Sequence, residues 1–290
     1  MSIVILALVL GLLLILVGGM RGLRTIFTLA VNAVIFVILA WAILGGVSPI
    51  LASVIACVVI CLLTLFFNTG LNAKSLTAFA SVTAVVLFMW FIMDMTGRGA
   101  RIEGFSFQKL SDIAGYSWII NIDMGDLAVA CMLIGLIGAI IDTSVAVASA
   151  QFEVAENNPD ISFGQLYVSG CRVGRDLLGT TCNTLFFAFL GGYLTLLIWF
   201  CLYKYSFAEI INSAVFVEEF IRIMASALGC VLIMPITSLF GAVLLRTKMS
   251  RILGFFERAK ERINIWLNSN PYSEDEMKPD NDYNESENKK

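Results

Sequence analysis

Two stretches of this sequence carry charge where hydrocarbon-compatible residues are expected. Gly135, Gly138, Asp142, Ala146, Ser149 and Glu153 follow one another at steps of three or four. That spacing sets side chains on one face of a helix. Arg172, Asp176, Gly179 and Asn183 repeat the pattern further along, with Arg175 beside them. The other faces are Leu, Ile, Val, Ala and Phe, so each helix has one small, polar stripe. A charge at the centre of a membrane span costs roughly 2.5–3.5 kcal/mol on insertion scales, and such residues face a bundle interior or a wet cavity. The expectation is that the two stripes face each other. Asp142 would lie inward of its span's midpoint, at a depth similar to that of Thr180, Thr181 and Asn183. Asp142, Arg172, Arg175 and Asp176 sum to zero charge, and a paired network is the cheapest way to hold them there.

The chemistry such a site could do is binding and release. Asp142 would carry a proton or cation, with Arg175 and Asp176 as its electrostatic partners. Ser149, Arg172, Thr180 and Asn183 would complete a polar ion or substrate site. The alternative is a plain interhelical tie, with Asn183 and the threonines as hydrogen-bonding glue. For Arg172 and Arg175 the tie is the stronger reading, because positive charge is expected at the inner boundary in any case. Glu153 and Glu156 read as a solvated loop, and Asp94 as an interfacial residue. The glycine steps Gly135, Gly138 and Gly170-xxx-Gly174 read as close-packing positions rather than as ligands.

Other chemistries find no residues to carry them. The chain has no histidine, which removes imidazole bases, imidazole metal ligands and imidazole pH switches together. Its seven cysteines are scattered through apolar runs. Cys57 and Cys61 stand four apart without a matching second pair, so buried free thiols are expected rather than a metal site or a disulfide framework. There is no phosphate-binding glycine loop, no nucleophile elbow and no extended basic surface for nucleic acid. The expectation is a non-enzyme with no cofactor and no metal.

These stripes must be held by membrane helices. Of 290 residues 59% are hydrophobic and only 14% charged, and the mean hydropathy is +0.87. The charged share is well under the soluble norm of about 25%. Several apolar runs approach the ~20 residues that cross a bilayer. The reading is an all-α, polytopic helical membrane protein of about seven spans, near 2–18, 25–45, 49–67, 76–95, 125–150, 181–203 and 223–245. Residues 96–123 form a long connection with aromatics suited to headgroup level. Ser162 and Gln165 form a capping box that starts a helix. That helix is expected to run along the membrane surface through Arg172 and Arg175, and to bend or continue into the sixth span. Residues 204–222 read as an outer amphipathic piece, and Pro235 as a kink in the last span. Residues 246–268 read as a basic amphipathic helix on the inner leaflet, and 269–290 as a disordered acidic tail. The Lys and Arg bias sets the N-terminus outside and the C-terminus in the cytoplasm.

The segments GAIIDTSVAVASAQFEVAENNPDIS and LYVSGCRVGRDLLGTTCNTLFFAFLGG resemble the YibE/F-like family of bacterial membrane proteins. The resemblance is specific over residues 135–192 and looser from about 70 to 245. The length resembles the shorter, YibF-type member. It implies a bacterial plasma membrane and a longer YibE-type membrane protein as partner, with a homo-oligomer as the other possibility. An acid-bearing helix, a cytosolic connection and a Thr/Asn-rich return are also similar to the membrane core of SecF and RND transporters. The expected function is transport of a small solute or ion, the alternative a non-catalytic membrane scaffold or subunit of a YibE-type complex.

Overall fold

A computed structural model describes residues 2–70, 72–100 and 123–246. The described residues form α1 (Ser2–Leu44), α2 (Pro49–Thr69), α3 (Ala73–Ala100), α4 (Met124–Asn157), α5 (Phe163–Gly192), α6 (Leu194–Leu202), α7 (Phe207–Ile211) and α8 (Ala214–Arg246), with no strand among them. Five helices are long and apolar enough to cross a membrane, or six if α5 and α6, bent by 53°, make one crossing. The chain is therefore a polytopic helical membrane protein. The aromatic connection beyond residue 100, the surface helix expected after Arg246 and the acidic tail lie outside the described residues.

Expected spans and observed helices differ where helices outrun the apolar runs. The spans read at 2–18 and 25–45 are the two helical arms of α1, divided by a break at Gly19 (φ 54, ψ −132). In an uninterrupted helix Leu14 and Gly22 would stand about 12 Å apart. Here a Cβ on Gly22 would overlap the Leu14 carbonyl, so the chain turns back on itself at the break. Glycine alone enters this left-handed region without a steric cost. The link read at 151–161 is shorter, because α4 continues to Asn157 and carries Glu153 and Glu156 on its last turns. The 204–222 piece is divided between α7 and α8, and α8 runs as one helix through Pro235.

The Ser162–Gln165 capping box forms as expected: the Gln165 amide N–H donates to Ser162 Oγ at 3.3 Å and the Ser162 N–H donates to Gln165 Oε1 at 3.1 Å. The helix it starts does not lie along a surface. α5 packs on α4 and α8 from its first turns, with Leu166, Gly170 and Gly174 buried, and reaches Gly192 before breaking at Tyr193.

α4 is the central helix, packed against α8, α3, α2 and α5. Its buried face, Leu133, Leu136, Ile137 and Ile140, meets Val82, Val85 and Met89 of α3 and Ile233 of α8. Cys57 and Cys61 of α2 are buried in the same core, and Cys57 donates to the Leu133 carbonyl at 3.7 Å. α1 leans on α2 through Leu39 and Ile43 against Ala52 and Ala56. Two polar ties join these helices: Thr28 to Asn68 at 3.3 Å and Asn32 to Thr64 at 3.2 Å.

Candidate functional site

Each expected stripe does share one helix face. On α4, Gly135, Gly138, Asp142 and Glu153 are exposed and Ala146 and Ser149 half-buried, while Thr143, Ser144, Val147, Ala148 and Gln151 are buried on the other side. On α5, Arg172, Arg175, Asp176, Gly179, Thr180 and Asn183 are exposed, opposite the buried Gly170 and Gly174. Depth also agrees with expectation. Gly135 lies beside the Phe189 ring, and Gln151 bonds the Leu166 carbonyl. α4 and α5 are therefore antiparallel neighbours, with Asp142 roughly level with Thr180.

The stripes do not close on each other. Among the described residues no ion pair or hydrogen bond joins Asp142 to Arg172, Arg175 or Asp176. The Thr180 hydroxyl donates to the Leu177 carbonyl of its own helix at 2.9 Å. The paired network expected from the sequence is thus absent among the described residues. The cause is the glycine edge of α5. A Cβ on Gly174 would come within 2.7 Å of Met234 Cγ, and one on Gly170 would overlap the Gln151 side chain and stand 2.6 Å from Ser238 Oγ. Without those Cβ atoms α5 seats its 166–170–174 edge tightly between α4 and α8. Arg172, Arg175 and Asp176 then point away. What results is an open polar face, a carboxylate with hydroxyl and amide groups at one depth, able to bind a proton, a cation or another protein.

Two polar constellations lie outside the expected stripes. Gln151 is fully buried where α3, α4, α5 and α8 meet. Its Nε2 donates to the carbonyls of Leu166 and Ser238, each at 3.0 Å. A Cβ on Gly241 would overlap Gln151 Oε1. Around it, the Thr237 hydroxyl donates to Ser144 Oγ and the Ser144 hydroxyl to the Ala78 carbonyl, both at 3.3 Å. The signal was available as Ser144, Ala148 and Gln151 at steps of four and three, small and polar on one face. The second lies at the opposite end of the bundle. Arg222 pairs with Glu218 and Glu219, each at 3.2 Å, on the first turns of α8. Glu218 is buried, and these charges sit on the long helix α8 itself.

Comparison with known proteins bears on class rather than chemistry. The family model for YibE/F-like protein matches residues 6–247, so the chain belongs to the YibE/F-like family of membrane proteins. No curated protein and no solved structure matches it, and the likeness to the SecF and RND core stays one of pattern.

Proposed function

We propose that this chain is a membrane-embedded transport subunit that moves a small solute or an ion. Asp142 takes up the proton or cation, and Thr180 and Asn183 line its path. One observation carries the reading: Asp142 lies inside a membrane-length helix, level with Thr180 on an open polar face, with no ion pair or hydrogen bond among the described residues. An ionisable group at such a position is functional by default. The reading is not enzymatic, since uptake and release at a carboxylate need no nucleophile–base pair.

Family membership supports a bacterial plasma membrane. Arg21, Arg24, Lys74, Arg172 and Arg175 gather toward one end of the bundle, where Thr28 meets Asn68 and Gln151 meets Leu166. Lys and Arg accumulate on the cytoplasmic side, so we assign that end, with the C-terminus, to the cytoplasm. Counting the two arms of α1 as separate crossings keeps the N-terminus outside.

The test is flux in proteoliposomes against a panel of ions and small solutes. Asp142→Asn is expected to abolish flux with expression and assembly unchanged. A second reading, a non-transporting subunit of a YibE-type complex, is favoured by the empty space over Gly138 and Gly179, which leaves room for another helix. Under that reading the chain alone moves nothing, and Asp142→Asn either does nothing or lowers the amount of complex recovered.

A further inference from the structure

The open face of α5 is not closed by any of the described residues. Arg172, Arg175 and Asp176 are exposed on a helix that packs within a membrane bundle. Among the described residues these three charges have no ion-pair partner, and charges of both signs on one face suit a protein surface better than lipid. Gly179, on the same face, has nothing within 4 Å of where its Cβ would be, so another backbone can approach there closely.

We propose that a second copy of this chain covers this face. α5 packs against α5 about a two-fold axis along the membrane normal, and Arg175 of each copy lies opposite Asp176 of the other. Copies inserted with one orientation meet through residues at equal depth. Arg175 and Asp176 are adjacent, separated by about 1.5 Å of rise, and opposite in sign. A two-fold axis therefore brings each onto its complement twice, as an isologous contact requires. A face of a single sign would repel its own copy. Asn183, two turns further along, meets its counterpart near the axis, where carboxamides donate and accept to one another. The inference deepens the transport reading by naming what closes its polar face, but it rests on the exposure of that face and not on flux.

The test is the oligomeric state of the full chain in nanodiscs, read by mass, for wild type, Arg175→Asp, Asp176→Arg and the double swap. The wild type is expected to be dimeric. Each single reversal should weaken the dimer by about ten-fold or more, and the swap should restore it. Independently, Asn183→Cys in a chain stripped of its seven native cysteines should cross-link between copies in native membranes. A monomeric wild type overturns the proposal, and so does a dimer indifferent to the single reversals or an Asn183→Cys that never cross-links. Single reversals that break the assembly without rescue by the swap also overturn it, because Arg175 and Asp176 then do not face each other across the axis. If the swap behaves as expected while the wild-type chain moves no solute or ion in proteoliposomes, the transport reading fails alone.

Discussion

The two faces of α5 are made from similar residues and meet opposite surroundings. On one, Gly170 and Gly174 lie under Gln151, Ser238 and Met234 with no room for a methyl group. On the other, Gly179 lies under nothing, in line with Arg172, Asp176 and Asn183. The difference teaches that a small residue in a membrane helix has no fixed meaning. Its role is set by what stands over it, and in lipid a helix pair is held by close packing and hydrogen bonds rather than by hydrophobic exclusion. The buried face is closed by such bonds through Gln151. The open face awaits a partner surface.

The sharpest way to break that contrast is to fill both sets of glycines. Gly170→Ala and Gly241→Ala force a methyl group into the Gln151 side chain, and overpacking of this kind costs about 1–3 kcal/mol. Gly138→Ala and Gly179→Ala meet open space within the chain and gain up to ~1 kcal/mol of helix propensity. Unfolding by SDS titration in micelles should separate the two pairs. Equal losses in all four would mean that the open face is packed in the folded chain.

A smaller loss is expected from removing the clasp itself. Gln151→Leu deletes two hydrogen bonds across three helices, and side-chain bonds of this type in a membrane protein average about 0.6 kcal/mol each. A total near 1 kcal/mol in the same titration fits a structural clasp. A much larger loss would mark Gln151 as the organising centre of the bundle, and no loss would mean that glycine packing alone holds α5. Thr28→Val, which cuts one polar tie between α1 and α2, should cost about half as much.

How much of this was legible from residues alone follows from what hydropathy can report. The helices were legible because their apolar runs match the bilayer. The start of α5 was legible because Ser162 and Gln165 satisfy a local rule. The sharing of one face by Asp142, Gly138 and Gly135 was also legible, since helical spacing fixes it. Which way that face points was not. In a soluble protein polarity separates outside from inside, but lipid and protein core are both apolar, so a stripe can turn either way. Its direction was decided by the absence of Cβ atoms at Gly170 and Gly174, a steric fact about the opposite face of the neighbouring helix. Gln151 was passed over because it followed the apolar run and resembled the start of a loop. Spans 2–18 and 25–45 were separable by composition, and the break at Gly19 falls between them as that reading requires.

The smallest contrast concerns two helix starts of the same design, one heading α5 and one heading α7. In each, a serine caps the helix and the residue three positions on reaches back to it. At Ser162 the returning group is the neutral carboxamide of Gln165. At Ser206 it is the carboxylate of Glu209, which accepts from the Ser206 N–H at 2.6 Å and from its hydroxyl at 2.8 Å. Those two donors hold the Glu209 carboxyl below its ordinary value of 4.5. A carboxyl whose folded value is depressed contributes stability that is present above the unfolded value and lost as pH falls through the folded one. The Ser206 cap should therefore loosen as the medium is acidified below about pH 4.5, while the Ser162 cap, with nothing to titrate, should hold. Hydrogen exchange at the Glu209 and Gln165 amides, corrected for the intrinsic effect of pH, reads both in one sample. Glu209→Gln should make the two caps respond alike. Parallel opening of both caps in the unaltered chain would show that acid acts on the bundle as a whole and not on one carboxylate.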